Sequence, residues 1–547
     1  MRLHIIEGQL VDVASEEIIP ARVIVQGEKI VGIEELSEAP DRYILPGFID
    51  AHIHIESSLL CPSRFSEAAV PHGTTCIITD PHEIANVLGM EGIRYMIDDA
   101  KRTPMRIYFT APSCVPATKI ETSGAILTWR EIYELLMLNE VVALGEVMDV
   151  QSVLEYKDEI LKKIEIARIL GKPIDGHAPG LTGFDLDQYI SVGISTDHEC
   201  LTLDEATEKY RKGMKIMIRE GSTSKNLKQL APFADKREFF LVSDDLDVID
   251  LEKGHLDRLL KKAVECGIDS ISAIQAVTIR PSKHYGLPIG LIEVGKPADI
   301  VIVNNLCEFN VLEVYINGIL CALGKRRLFD LNPQKLNYKM VEQRIFEKDL
   351  ELRVDQRSGK AKVRVIKAVP DQAVSFSDTA ELKIVDGTVQ PSIEDDVLLV
   401  AVVCRYRQKK PAIGFIRGFG LKRGAIASTV AHDAHNIIAV GTELKSMAFA
   451  IEYVSRVGGF FATDGHESIC VELPIAGLMS NERSDSLGRK MIRILEFVRS
   501  LGCDFDAPFM TLSFQSLVVL PEIKICDMGL FDSRKFRFVD PIIELEQ

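Results

Sequence analysis

Side chains that bind divalent cations recur in this sequence at one kind of place, the end of an apolar run. The clearest case is Leu45-Pro46-Gly47-Phe48-Ile49-Asp50-Ala51-His52-Ile53-His54, a strand-like run that closes in His-x-His. Residues i and i+2 of a strand share a face, and two neutral imidazoles side by side can hold a divalent ion. Four further runs end in the same way. Glu146 closes Val141–Gly145, His177 closes Pro173–Gly176, His198 closes Gly193–Asp197 and Asp244 closes Phe239–Ser243. Four histidines and two carboxylates suffice for two ions, with Glu146 as a bridge. Such ions lower the pKa of water from 15.7 toward ~7, which supplies a nucleophile at neutral pH. Asp244 can hydrogen-bond that water and take its proton. Nitrogen and oxygen donors without thiolate suit manganese or iron at least as well as zinc.

The remaining acid/base and substrate-reading candidates are Glu83, His82, Glu56 and Asp245, each of which competes with a role in buried hydrogen bonding. Lys225 lies in the loop Gly221-Ser222-Thr223-Ser224-Lys225-Asn226, which either lines the pocket or covers the surface.

These residues need a scaffold that brings strand ends together. Besides the run ending at Asp50, strand-like stretches occur at Thr75–Asp80, Met105–Thr110, Val141–Glu146, Pro173–His177, Gly193–His198, Lys215–Arg219 and Phe239–Asp244. Helix-like segments separate them. Eight such strands predict an α/β fold, a (β/α)8 TIM-like barrel over residues 46–288, near the ~250 residues typical of that architecture, with its chemistry at the C-terminal ends of the strands. Short β runs at Leu3–Ile6, Gly8–Val13 and Ala21–Val25, punctuated by Gly8, Gly27 and Gly32, are matched much later by Ala298–Val303 and Val311–Gly318. They predict one small β-sandwich domain assembled from both flanks, residues 1–45 and 289–334. Residues 335–547 read as a C-terminal α+β domain, with a helix at Ser484–Ser500. Within it, Arg405-Tyr406-Arg407-Gln408-Lys409-Lys410 reads as a solvated basic turn.

Composition bounds the function. The 547 residues carry 64 Lys+Arg against 80 Asp+Glu, a net charge of −16, with 46% hydrophobic residues. An acidic chain is a poor grip for nucleic-acid phosphates, though a free base is not excluded. No stretch reaches the ~18 apolar residues of a membrane span, and the N-terminus lacks a secretory h-region. Eleven cysteines, an odd number with no C-x-x-C pair, argue against a disulfide framework and for the cytoplasm. The same absence excludes the zinc base deaminases that pair H-x-E with P-C-x-x-C.

The His-x-His segment, strand-end His177 and His198, and Ser243-Asp244 resemble the amidohydrolase superfamily. Further motifs resemble one branch, the bacterial and archaeal adenine deaminases: His52-Ile53-His54-Ile55-Glu56-Ser57-Ser58, Thr79-Asp80-Pro81-His82-Glu83-Ile84-Ala85-Asn86-Val87, Gly145-Glu146-Val147-Met148, Asp175-Gly176-His177-Ala178-Pro179 and Ser428-Thr429-Val430-Ala431-His432-Asp433-Ala434-His435-Asn436. The resemblance spans essentially the whole chain. It implies a binuclear manganese or iron site (zinc remaining possible) held by His52, His54, Glu146, His177, His198 and Asp244. It also implies hydrolysis of adenine to hypoxanthine and ammonia in purine salvage, with a homo-oligomer expected. Where many amidohydrolases carry a carboxylated lysine, this chain has Glu146. Rival expectations are another amidohydrolase reaction, such as cyclic amide hydrolysis, or a non-catalytic barrel scaffold. His432, His435 and His466 stand beside carboxylates, and their part, in a lid, in a further metal site or in structure alone, stays open.

Overall fold

A computed structural model describes residues 3–546 apart from 236, 371 and 373. The chain divides into two compact units. The first contains Met1–His82, Ile93–Cys114 and Leu127–Gln334; the second contains Glu83–Gly92, Val115–Ile126 and Lys335–Gln547. Two stretches from within the expected barrel range, Glu83–Gly92 and Val115–Ile126, thus pack with the C-terminal residues.

Eight parallel strands organise the first unit: β1 (Phe48–Ile53), β2 (Thr74–Thr79), β3 (Arg106–Ala111), β4 (Val141–Val147), β5 (Ile174–Gly176), β6 (Thr196–Asp197), β7 (Lys215–Arg219) and β8 (Phe239–Val242). β1 to β5 form one sheet and β6 to β8 another, each in sequential order. The two sheets meet at both edges. Ser195 N–H donates to Ile174 O at 2.9 Å beside β5 and β6. Ile53 and Asp244 form a parallel bridge beside β1 and β8. The result is a TIM-like barrel. Its strands are short runs of buried residues, as expected of parallel strands covered on both faces. Ile49, Ala51, Cys76, Ile78, Ala143, Met217, Phe240 and Val242 pack together from five of them.

Strands from both flanks share one eight-stranded sheet. Tyr43–Pro46 is its join, parallel to Leu3–Asp12 on one side and antiparallel to Ile300–Val303 on the other. Leu3–Ile6 and Gly8–Val13, expected as separate runs, are one ten-residue strand, Leu3–Asp12. Gly8 does not punctuate it. A Cβ there would lie 2.6 Å from Arg42 O, so the glycine permits close strand approach rather than a turn.

The second unit is built on a long sheet running from Thr388–Val389 through Ser358–Ala368 and Val397–Val403 to Ser468–Val471. The helix Leu444–Val457 lays Met447, Ala450, Ile451 and Val454 on its core, the spacing of one helical face. The expected helix Ser484–Ser500 is present. The basic run 405–410 is solvated only in part: Arg407, Gln408 and Lys410 are exposed, but the run begins on a buried arginine. Arg405 is fully buried and donates to the carbonyls of Thr429, His435 and Ala476 at 3.3, 3.1 and 2.6 Å. Its charge is absorbed by backbone oxygens that would otherwise lack donors.

A buried ion group positions two strand ends of the barrel. Lys209, on the helix Leu203–Arg211, is 0% exposed. Its Nζ donates to Ala178 O (2.5 Å), Asp197 Oδ2 (3.0 Å) and Glu205 Oε1 (2.7 Å). Asp197 Oδ1 accepts from Ala178 N–H at 2.8 Å. The turn after β5 is therefore tied to the end of β6, next to His177 and His198. Lys209→Met leaves two buried carboxylates without their cation and is expected to cost about 3–5 kcal/mol in urea unfolding. A loss below about 1 kcal/mol, the scale of an exposed pair, would show that the group is not a structural tie.

Candidate metal centre

The strand ends converge as their residue types require. His52 lies within β1 and His54 just beyond it; Glu146 is the penultimate residue of β4; His177 and His198 follow β5 and β6 directly. Asp244 stands two residues past β8 in the left-handed region, at φ 57°. Such a conformation costs of order 1–3 kcal/mol in a non-glycine residue. Two backbone bonds to the β1 end hold it there, Asp244 N–H to His52 O (3.0 Å) and His54 N–H to Asp244 O (3.1 Å).

The two oxygens of Glu146 face different histidines. Oε1 is 3.3 Å from His54 Nε2 and 3.5 Å from His82 Nδ1. Oε2 is 2.8 Å from His177 Nδ1 and 3.2 Å from His198 Nε2. Asp244 Oδ1 lies 3.4 Å from Nε2 of both His52 and His54. His52 stacks on His198 with ring centroids 4.1 Å apart. His52 Nε2 is buried without a hydrogen-bond partner. Overlapping triads, His52/His54/Asp244, His52/Glu146/His198 and His54/His82/Glu146, keep their ligand atoms within 4.8 Å of one another. A buried imidazole nitrogen that makes no well-formed hydrogen bond, with a carboxylate oxygen 3.4 Å away and further imidazoles around it, belongs to a donor set for divalent cations.

Burial opposes ionisation of Glu146, but hydrogen bonds from His177, His198 and His54 outweigh it and hold the carboxyl well below its ordinary range. Asp244 is buried too, and His52, His54 and Arg219 keep it ionised. His198 shows the reciprocal effect: burial lowers its pKa, Glu146 raises it, and the balance pushes it up to about 9. An ion entering this cluster displaces protons from imidazoles that the carboxylates would otherwise keep charged.

The other expected residues divide. His82 joins the cluster, its ring 4.6 Å from that of His54. Glu56 is buried in the 3-10 turn Ile55–Ser58 directly after His54, and Asp245 accepts from Ser57 Oγ at 2.5 Å. Lys225 lines a separate cavity of about 90 Å³ together with Glu220, Asp250, His255 and Lys262. Glu83 belongs to the second unit, where His432 Nδ1 is 2.5 Å from its Oε1 and His435 Nε2 pairs with its Oε2. Ala431 N–H donates to His435 Nδ1 at 3.2 Å. That bond places the His435 proton on Nε2, so His435 donates to Glu83 and does not present a metal-binding lone pair there. His466 is exposed in a turn closed by Asp464 Oδ1.

Sequence reasoning missed three supporting residues. Asp80 accepts Glu146 N–H at 3.1 Å through Oδ2, and its carbonyl meets His54 Nδ1 at 3.0 Å. A Cβ on Gly145 would stand 2.1 Å from that Oδ2, so the glycine keeps the bond possible. Arg219 and Glu199 form a pair against Asp244. All three lie at the strand ends that revealed the histidines: Asp80 after β2, Glu199 after His198, Arg219 closing β7.

A model described as amidohydrolase family matches residues 43–321, and one described as adenine deaminase C-terminal domain matches residues 372–537. A relative from Methanothermobacter thermautotrophicus named adenine deaminase is 47% identical over 540 residues, covering 97% of this chain and 98% of its own. Another of that name, from Methanosphaera stadtmanae, is 46% identical and covers 99% of both chains. The chain belongs to the adenine deaminase family. Among solved structures, a beta-aspartyl dipeptidase from Fervidobacterium islandicum aligns with 60% of this chain and all of its own, at 15% identity and a TM-score of 0.45.

Glu146→Gln keeps the shape but removes the shared negative charge, so elemental analysis should find at least one ion lost and turnover largely abolished; unchanged stoichiometry and turnover would remove Glu146 from the site. In the second unit, burial lowers the His435 pKa from 6.5 to about 4 in spite of Glu83. The unfolded chain therefore binds this proton first, and stability is lost as pH falls from 6.5 toward 4, by at most about 1.4 kcal/mol per pH unit. His435→Gln should flatten that slope in denaturant titrations, and identical slopes would contradict the assignment.

Proposed function

We propose that this chain hydrolyses adenine to hypoxanthine and ammonia at a binuclear centre held by His52, His54, Glu146, His177, His198 and Asp244. The observation that carries the reading is the division of Glu146, one oxygen toward His54 and His82 and the other toward His177 and His198, in a chain whose full-length relatives are named adenine deaminase. Divalent ions bound there supply acidified water, a nucleophile at neutral pH. Manganese or iron suits the donors, all nitrogen and oxygen.

The protein's own groups handle the protons. Asp244 is kept ionised, and its Oδ1 faces the centre, so it serves as the base that takes the proton of the attacking water. That proton must reach the purine ring or the departing amino group for ammonia to leave. His82, the cluster histidine nearest Glu146 Oε1 that the six-ligand set does not use, is the carrier we assign within the barrel. Glu83 follows it in the chain and is proposed as a second carrier on residue type alone. Glu56 and Asp245, on the turns after β1 and β8, are assigned to reading the base, since an adenine ring presents both donor and acceptor edges. The reaction places this chain among enzymes that return a purine base to salvage.

The test is ammonia release with Mn²⁺ supplied, across adenine, adenosine, other purines and cyclic amides. Free adenine is expected to be the best substrate and adenosine a poor one, since ribose would need extra room at N9. Preference for adenosine, or ring-opened acid from a cyclic amide as the main product, would overturn the assignment.

A further inference from the structure

Three successive strand ends are joined by one guanidinium. Arg219 closes β7. Its Nη1 donates to Glu199 Oε1 (2.5 Å) and Asp244 Oδ2 (2.8 Å), and its Nη2 donates to Glu199 Oε2 (2.8 Å). Glu199 follows His198 at the end of β6, and Asp244 follows β8, the strand paired with β7 through Arg219 and Val242. The Arg219 side chain is 10% exposed and that of Glu199 12%. The contact is a two-pronged guanidinium–carboxylate pair, extended to a second carboxylate at a buried site.

Both carboxylates adjoin the metal cluster. Asp244 offers Oδ1 to His52 and His54, while Arg219 occupies Oδ2. Glu199 Oε1 is 3.6 Å from His177 Nδ1 and 3.5 Å from His198 Nε2, close enough that the three could hold an ion together. Both its oxygens accept from Arg219, so the guanidinium competes with an ion for Glu199. We infer that Arg219 is a positioning residue that sets the ligand count of the centre, limiting Asp244 to one oxygen and withholding Glu199 from the ions. Lysine cannot replace this function in full, because an ammonium is a point donor without the planar fork.

The inference deepens the proposed function and, for its kinetic part, rests on it. The test uses the full-length protein loaded with Mn²⁺, with the variants Arg219→Met, Arg219→Lys and Glu199→Gln. Arg219→Met should retain two Mn²⁺ per chain by elemental analysis but give an altered electron paramagnetic resonance spectrum without substrate, because freed carboxylate oxygens enter the coordination. With adenine, kcat should fall about 100-fold for a misplaced base, with KM within about threefold. Arg219→Lys should recover about tenfold of that loss through a single charged donor. Glu199→Gln, with half its pairing charge gone, should fall between wild type and Arg219→Met, which keeps the test available if the methionine variant folds poorly. A wild-type spectrum and kcat in Arg219→Met would overturn the inference, as would losses that only track missing metal. If the wild-type protein released no ammonia from adenine, the proposed function would fail, and the resonance spectrum would still decide the role of Arg219.

Discussion

Glu146 is the constraint on which the barrel centre depends. A carboxylate buried to 3% exposure would ordinarily give up its charge. Here three histidine contacts, from the ends of β1, β5 and β6, reverse that outcome, and Asp80 holds the backbone N–H of the same residue. The proposed bridge between two ions requires that this carboxylate stay charged, and it stays charged because three other strand ends deliver nitrogen to it. Displacing any of these strands would leave an uncompensated buried charge, a cost of several kcal/mol.

The same logic extends outward. Lys209 pairs with Asp197 and Glu205 at the β5 and β6 ends, and Arg219 pairs with Glu199 and Asp244 at the β6 to β8 ends. The rim of this barrel is thus a set of buried charges, each fixed by a partner from a neighbouring strand. Such groups add little net stability compared with apolar packing. Their contribution is placement: each carboxylate oxygen has one direction in which it is satisfied. The strained backbone of Asp244, stitched on both sides to β1, serves the same end.

Much of this was legible in the sequence because a parallel barrel writes its active face as strand-end residues. Apolar runs closing in His, Glu or Asp gave the six-residue set, and their alternation with helical stretches gave the barrel. What sequence could not supply was pairing across strands. Arg219 and Asp80 also close apolar runs, but their roles depend on Glu199, Asp244 and the Glu146 N–H, partners on other strands that one sequence does not pair with them. Arg405 was misread for the same reason: a basic run looks solvated when the carbonyls that bury it lie 24 to 71 residues away. Gly8 looked like a break because a glycine needed for close approach is indistinguishable, in one sequence, from a glycine that turns.

The central claim is that one glutamate holds two ions together. X-ray absorption fine structure of the Mn²⁺-loaded protein measures this without reference to substrate. The account predicts a metal–metal vector of about 3.5–4 Å, the spacing of two-metal hydrolytic sites, with nitrogen and oxygen neighbours only. A spectrum with no metal–metal scattering at full loading, or with sulfur in the coordination sphere, would contradict it.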